Sequence, residues 1–264
     1  MILAIDIGNT NLVIGGMDEA KIYFTERIST NHTKTELEYA VDIKIILDLY
    51  HIGENEIEGC IISSVVPQIT HIVKLAAEKI LKDHKILVLG PGVKTGLDIL
   101  LDNPAELGAD RVADAVGAIS QYEAPLMIID MGTATTISVI DEKKRFIGGM
   151  IMPGVRVSLE ALTSRASQLY GIGIEEPRSL IGRNTIDCMK SGIVYGTASA
   201  IDGIIDRVEE EMGCEMRVIA SGGLSTGIAP HCRHEITIDS DLLLKGLLKI
   251  YRRNAERPRG AAAK

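Results

Sequence analysis

The chain has 264 residues, 46% of them hydrophobic, which is enough for one or two domains with a sizeable core. Its formal net charge of -8, the absence of tryptophan and the presence of only two phenylalanines argue against nucleic-acid binding, which requires a basic surface and stacking rings. No apolar run reaches the roughly 18 residues of a membrane span, so we predict no membrane partner.

The cysteines and the first residues of the chain bear on the cellular compartment in which the protein is expected. The four cysteines are widely separated and form no Cys-x-x-Cys pair, so we expect free thiols or small core residues in a reducing environment. Asp6 interrupts the first apolar run and no basic region precedes it, so a signal peptide is not expected. These features predict a cytoplasmic protein.

The first half of the chain begins with three apolar runs joined by tight turns, which predict a β-meander. These runs are residues 1–7, 11–16 and 21–28. A spacing near four predicts a helix beyond a candidate cap at Thr35, through Leu37, Val41, Ile45 and Leu49. A strand, a helix and a further strand are predicted at 58–64, 69–81 and 86–89.

Residues 91–107 show no strong period and are predicted to form a substrate-side loop. The next helix begins near Gly108, with Val112, Val116 and Ile119 on one face. Asp110 and Asp114 lie four residues apart, on roughly the opposite face. Asp110 is therefore expected in the first turn, pointing away from the core, where complementing the helix dipole is a sufficient explanation for it taken alone.

The second half repeats this order, with a meander at 125–130, 135–140 and 145–151. A helix opened by Gly154, a loop at 171–183 and a long helix at about 184–212 follow, and Thr185 would ordinarily be a cap of the long helix. A strand at 217–220, the turn Ser221-Gly222-Gly223, a strand at 235–238 and a helix at 241–251 complete it. We predict domains at 1–122 and 123–254 and a flexible tail at 255–264.

Both halves carry an aspartate just before a glycine turn. The two segments are Asp6-Ile7-Gly8-Asn9-Thr10-Asn11 and Asp130-Met131-Gly132-Thr133-Ala134-Thr135. Glycine lets backbone N–H groups approach a phosphate, and the carboxylate can hold a cation or its water. One copy is often only a turn, but two copies at equivalent places favour phosphoryl transfer.

These paired hairpins resemble the acetate and sugar kinase, heat-shock ATPase and actin superfamily. More narrowly, the ordered set resembles type III pantothenate kinases, and the Gly-Ala-Asp-Arg segment at 108–111 makes the resemblance specific. The other matching pieces are the two hairpins, Asn103-Pro104-Ala105-Glu106-Leu107, Gly148 to Gly154 and Asn184-Thr185. The resemblance implies an α/β fold of duplicated actin-like (ribonuclease H-like) domains with a central cleft.

The resemblance also implies residue roles. ATP would be bound by the first phosphate-binding stretch and by Thr133; the stretch consists of Asp6, Ile7, Gly8, Asn9, Thr10, Asn11, Leu12 and Val13. Pantothenate would be bound at Gly108, Ala109, Asp110, Arg111 and Thr185, with Asp110 as general base. Asp130 would be a ligand of a monovalent cation, K⁺ or NH₄⁺, needed besides Mg²⁺. Many family members carry a tyrosine as a pantothenate contact where this chain has Leu101, which offers no hydroxyl.

The implied activity is ATP-dependent phosphorylation of pantothenate to 4'-phosphopantothenate, the entry step to coenzyme A, by a homodimer. Three other readings compete with it: a kinase of the same superfamily for another small alcohol, a nucleotide-binding regulator without catalysis, and a structural ATPase akin to actin. The presence of Asp110 and Asp130 argues against the regulator. The length of 264 residues argues against the actin-like ATPase, whose members carry inserted subdomains.

Overall fold

The computed structural model describes residues 1–255, which form the predicted strands and helices in the predicted order, with one further short strand, β6 (Asp98–Ile99), inside the predicted loop at 91–107. The strands are β1 (Ile2–Ile7), β2 (Asn11–Met17), β3 (Ile22–Ser29), β4 (Gly59–Ser64), β5 (Lys85–Val88), β6 (Asp98–Ile99), β7 (Leu126–Met131), β8 (Ala134–Ile140), β9 (Arg145–Pro153), β10 (Arg217–Ser221) and β11 (Ile236–Ile238). The helices are α1 (Glu36–Leu49), α2 (Pro67–Ile80), α3 (Ala109–Gln121), α4 (Val155–Arg165), α5 (Thr185–Met212), α6 (Ser225–Ile228) and α7 (Leu242–Ala255).

The same sheet topology occurs twice. One sheet has the strand order β3-β2-β1-β4-β5, and the other has β9-β8-β7-β10-β11 with β6 added at the β9 edge. In each sheet, three antiparallel strands of a meander are extended by two parallel strands. The repeated order confirms the predicted duplication of a β-β-β unit followed by helices and parallel strands.

The chain divides into two compact units. Within the described residues, the first comprises Met1–Leu97, Asn103–Gly117 and 243–255, and the second comprises Asp98–Asp102 and Ala118–Leu242. These units differ from the predicted division at residue 122 mainly in the last helix, α7, which belongs to the first unit. Of the predicted tail, Ala255 ends α7, and the remaining residues lie outside the described part of the chain.

Packing and ion pairs explain why α7 belongs to the first unit. Gly246 lies so close to the Ala113 carbonyl that a Cβ there would overlap it. Arg252, in the last turn of α7, donates from Nε to the Glu19 carboxylate at 2.5 Å and from its guanidinium to Glu58. These bonds lower the pKa of Glu58 to about 2, because the Arg252 guanidinium and the terminal amine of Met1 both bind its carboxylate.

The first core lies between one face of the first sheet and helices α1 and α2. Leu3, Ile5 and Ile7 alternate along β1 and pack with Tyr39 of α1 and Val73 of α2. The second core combines β7, β8 and β10 with the long helix α5, through residues such as Met127, Ile137, Val218 and Ile201. Parallel strands backed by helices bury continuous apolar runs. The faces of the strands are therefore covered, and a ligand site is expected at their carboxyl ends.

Helix α1 buries a different face from the one that its sequence spacing marks. Thr35 caps it as predicted, through a capping box with Glu38. The residues spaced four apart are exposed, with Leu37 63% exposed, while the buried positions are Tyr39, Ala40, Ile43, Ile46 and Leu47. Both faces of this helix carry aliphatic residues, so periodicity identifies the helix and not its buried side.

No helix within residues 1–255 is long and apolar enough to cross a membrane. All four cysteines are free thiols, as predicted. Cys60 is buried within β4, and its burial raises the pKa of the thiol well above the usual range.

Candidate active site

The first glycine turn joins β1 to β2 and is braced by hydrogen bonds. The Gly8 N–H donates to the Asn11 carbonyl at 3.0 Å, and the hydroxyl of Thr30 donates to the Gly8 carbonyl at 2.6 Å. Asp6 and Ile7 end β1, while Leu12 and Val13 lie in β2. Asn9, Thr10 and Asn11 are exposed, so the turn presents its polar atoms outward from a fixed backbone.

The end of β4 lies directly beside this turn. β4 pairs with β1 in parallel register, which places Ser63 opposite Asp6 and Ser64 opposite Ile7. The Val65 N–H then donates to the Ile7 carbonyl at 3.1 Å. Since the carboxyl ends of parallel strands are where α/β proteins bind ligands, Asp6 and Ser63 lie at the edge of the sheet where a site is expected.

The predicted general base lies at this same edge, within the first unit. A Cβ on Gly108 would lie 3.5 Å from Cγ1 of Val65 and 2.5 Å from Oδ1 of Asp110. Gly108 is thus packed between the end of β4 and the Asp110 carboxylate, and a larger residue there would displace that carboxylate. Asp110 Oδ1 also accepts the Arg111 N–H at 2.7 Å, which fixes it in the first turn of α3.

Arg111 lies between two carboxylates on α3. Its guanidinium is partly buried, and burial lowers its pKa while Asp110 and Asp114 oppose that change. Asp114 is only 4% exposed, so the prediction that it faces outward is wrong. The cause is that α3 is buried on nearly every side between Val112 and Ala118, which a helical wheel of α3 alone does not reveal.

The second glycine turn is one residue shorter than the first. Met131 pairs with Thr135, whereas Ile7 pairs with Leu12, so three residues close the second turn and four close the first. The Gly132 N–H donates to the Ala134 carbonyl at 3.0 Å, and Thr133 is exposed at the tip. Gly154, at the start of α4, packs on the Thr133 carbonyl so closely that a Cβ would overlap it.

Asp130 is enclosed by the end of the neighbouring strand β10. Ser221 lies opposite it in parallel register, and the Ser221 hydroxyl donates to Asp130 Oδ1 at 3.4 Å. Gly222 has a φ of +85°, and a Cβ there would lie 2.5 Å from the same oxygen. The sequence order of strand, Gly-Gly and helix indicates a turn suited to an adenosine or a phosphate, and the structure shows that Gly222 also leaves room for the Asp130 carboxylate.

Thr185 and Leu101, the remaining predicted contacts, belong to the second unit. Thr185 is exposed as the first residue of α5, and the cap is Asn184, whose side-chain oxygen accepts the Asp187 N–H at 2.9 Å. The reading of Thr185 as the cap is therefore wrong by one residue. Thr185 also lines an open, largely apolar cavity of about 750 Å³ together with Arg183, Asn184 and Cys188. Leu101 is partly buried and follows β6.

Three hydroxyls at these turns were missed by sequence reasoning: Thr30, Ser63 and Ser221. A comparison of the two halves carries a signal for the serines, since each half places a serine at the end of the strand that pairs in parallel with the aspartate strand. Thr30 has no such signal, because its bond to Gly8 depends on the folded meander.

Carboxylates of the described chain do not form a dedicated metal cage. Within residues 1–255 there is no group of three or more His, Cys, Asp or Glu side chains placed to hold a metal ion.

The chain is similar to known proteins over nearly its whole length. A family model described as type III pantothenate kinase matches residues 2–207. A curated type III pantothenate kinase from an Exiguobacterium species is 46% identical over 254 residues, which is 96% of this chain and 99% of that protein. Another, from Bacillus cytotoxicus, is 46% identical over 255 residues, 97% of each chain.

The fold also resembles the solved structure of the activator of the 2-hydroxyisocaproyl-CoA dehydratase from Clostridium difficile with bound ADPNP. The TM-score is 0.56 at 13% identity, and the match covers 98% of this chain and 99% of that one. Likeness of this kind concerns the fold alone. With the repeated sheet topology, it confirms the predicted fold class of duplicated actin-like α/β domains.

Proposed function

The chain belongs to the type III pantothenate kinase family, and from this membership we propose that it transfers the γ-phosphoryl group of ATP to the primary hydroxyl of pantothenate. The product is 4'-phosphopantothenate, and the reaction is the first step of coenzyme A biosynthesis. The observation that carries the proposal is 46% identity across nearly the whole chain to two relatives that bear this name.

The nucleotide phosphates are assigned to the glycine turns. Asn9, Thr10 and Thr133 are exposed residues of these turns, and backbone N–H groups of such turns are suited to phosphate oxygens. Asp6 is the residue of the first turn that would hold Mg²⁺ or its water, and when bound the ion neutralises charge on the transferring phosphoryl group. The hydrogen bonds at Gly8 support the assignment of the phosphates to this turn, because a rigid turn needs little reorganisation during phosphoryl transfer.

Asp110 is proposed as the general base. The pantothenate hydroxyl gives its proton to the Asp110 carboxylate while the hydroxyl oxygen bonds to the γ-phosphorus and ADP leaves. The placement of Gly108 and Asp110 against the end of β4, beside the Asp6 strand, supports this role. Arg111 is proposed to pair with the pantothenate carboxylate, because a guanidinium binds a carboxylate with two parallel hydrogen bonds, and Thr185 is proposed as a further contact.

Asp130 is proposed as a ligand of a monovalent cation, K⁺ or NH₄⁺. Its carboxylate accepts a hydrogen bond from the Ser221 hydroxyl at 3.4 Å beside the second turn. Two oxygen atoms that could coordinate a cation are therefore adjacent there. A hard monovalent cation prefers oxygen ligands, and its charge would assist phosphate binding near Thr133.

The active form is proposed to be a homodimer. Large apolar side chains are exposed on and around α4 and the segment before α5: Ile151, Val157, Leu162, Tyr170, Leu180, Ile181 and Ile186. Exposed large apolar residues can contribute to interaction surfaces, and a second copy is the partner that the family resemblance implies. The cytoplasmic location predicted from the sequence stays a prediction.

The experiment that tests the proposed function is a coupled ADP-release assay with Mg-ATP and pantothenate, in potassium or sodium buffer, with 4'-phosphopantothenate identified by mass spectrometry. We expect ADP release that requires pantothenate and is faster in potassium. Release that ignores the cation would contradict the assignment of Asp130. Nucleotide binding without turnover on pantothenate would contradict the proposed substrate and favour another small alcohol or a regulator.

A further inference from the structure

Ser63 is a buried hydroxyl that the proposed reaction does not yet use. It is 0% exposed, and its Oγ has no hydrogen-bond partner within the described residues. Buried polar side chains in folded proteins nearly always have a partner, and an exception requires an explanation such as a catalytic role or a bound ion or water. Nothing in the packing of β4 supplies that explanation.

The strand register places Ser63 on the same face of the sheet as Asp6, the residue that precedes the first glycine turn. Ser63 and Asp6 are opposite each other in parallel register, and paired residues of neighbouring strands project from the same face of a sheet. The next residue, Ser64, projects from the other face. Its hydroxyl bonds to Oγ1 of Thr70 at 2.7 Å and accepts the Val66 N–H at 3.0 Å. The two adjacent serines therefore differ, since Ser64 supports the start of α2 and Ser63 does not.

The second unit shows the bond that Ser63 lacks. Ser221 occupies the equivalent place beside Asp130, and its hydroxyl donates to that carboxylate at 3.4 Å. Both aspartates precede a glycine turn, and both are followed across the sheet by a serine at the end of a parallel strand. The fold thus builds the same aspartate and serine pair twice, with the hydrogen bond formed in one copy.

We propose that Ser63 is a positioning residue for Asp6. When Mg²⁺ and nucleotide bind at the first glycine turn, the Ser63 hydroxyl donates to the Asp6 carboxylate and restricts it to one orientation toward the ion. The proposal rests on the proposed kinase function. The chemistry of the donors fits, because an ionised carboxylate has several acceptor sites and can accept a hydroxyl while it binds a cation or its water. Hydrogen bonds to metal-binding groups commonly change metal affinity 10- to 100-fold.

The test is Ser63→Ala, with Ser64→Ala as the matched control at the adjacent position. Two quantities are measured for each: the Tm of the protein without ligand, and the Mg²⁺ concentration that gives half of the Tm increase caused by ADP. Because Ser63 Oγ has no partner to lose, Ser63→Ala is expected to leave the Tm of the free protein unchanged or higher. We expect it to raise the half-saturating Mg²⁺ concentration about 10-fold. Ser64→Ala should lower the Tm and leave the Mg²⁺ dependence unchanged.

Two results would overturn the proposal. One is an unchanged Mg²⁺ dependence in Ser63→Ala. The other is a Tm of the free Ser63→Ala protein as low as that of Ser64→Ala, which would mean that Ser63 supports the fold. Since ADP binding does not involve pantothenate, a wild-type protein that binds Mg-ADP and fails to phosphorylate pantothenate would overturn only the proposed function.

Discussion

Two glycines near the two glycine turns lie so close to an aspartate carboxylate that a larger residue would not fit. Gly222 is the sharpest case, because its φ of +85° is a conformation that favours glycine, and because Asp130 Oδ1 lies where its Cβ would be. A Cβ on Gly108 would likewise lie 2.5 Å from Oδ1 of Asp110. At the scale of single residues, glycines without side chains therefore restrict where the Asp110 and Asp130 carboxylates, to which roles are proposed above, can lie.

Gly222→Ala should therefore disturb Asp130 as well as the turn. We expect a lower Tm, because alanine at a positive φ is strained, and a loss of most of the activation by potassium, because the Cβ displaces the Asp130 carboxylate. The measurement is turnover on pantothenate in potassium and in sodium, with the Tm of each protein. Gly196→Ala is the control: Gly196 is exposed within α5 and a Cβ there meets nothing within 4 Å. Alanine should raise helix stability there by up to about 1 kcal/mol. Intact potassium activation in Gly222→Ala would contradict the role given to this glycine.

Most of the strands can be predicted from the sequence. Continuous apolar runs predicted β1, β4, β7 and β10, because parallel strands are buried on both faces. The two-residue strand β6 was missed, since Asp98 and Ile99 have no pattern and their pairing with Arg145 and Phe146 is set by the fold. The register that brings Ser63 to Asp6 likewise depends on pairing across 57 residues of sequence, which no local pattern encodes.

Adjacent residues at the start of α5 are proposed to have different roles. Asn184 and Thr185 both line the 750 Å³ cavity, but Asn184 caps the helix, and only Thr185 is proposed to contact pantothenate. Asn184→Ala should lower stability by about 1 kcal/mol, as expected for a lost cap. Thr185→Ala should leave the Tm unchanged and raise the KM for pantothenate about 10-fold, the effect of one lost hydrogen bond. Thermal unfolding and steady-state kinetics measure both. If Thr185→Ala lowered the Tm as much as Asn184→Ala and left the KM for pantothenate unchanged, the proposed contact between Thr185 and pantothenate would be contradicted.

For the whole molecule, the sequence predicted the duplication and the fold class, while the assignment of the last helix required the folded chain. α7 reads as part of the second half from its position in sequence, yet Leu244 packs against Gly15 and Arg252 pairs with Glu19 and Glu58. Each of those partners lies more than 190 residues away. The proposed association of two copies likewise depends on surface residues that the fold brings together and not on any sequence motif.

Ile181→Asp should dissociate the proposed homodimer. Ile181 is 80% exposed, and a carboxylate placed within an apolar interface loses its hydration without gaining a partner. We expect the dissociation constant to rise more than about 100-fold, as measured by light scattering after size-exclusion chromatography over a range of concentrations. Leu37→Asp is the control, because Leu37 is also a well-exposed aliphatic residue but lies on α1. A wild-type monomer at all concentrations, or equal dissociation by both variants, would contradict the proposed surface.

The central claim is that Asp110, held in the first turn of α3 near the end of β4, removes the proton from the pantothenate hydroxyl. The most direct test is kcat with saturating Mg-ATP and pantothenate for Asp110→Asn, compared with Asp83→Asn, which changes an exposed aspartate of the same unit. A lost general base should lower kcat by about 10²- to 10⁴-fold, with ADP binding unchanged, while Asp83→Asn keeps the wild-type rate. Turnover by Asp110→Asn within a few-fold of the wild type would contradict the claim.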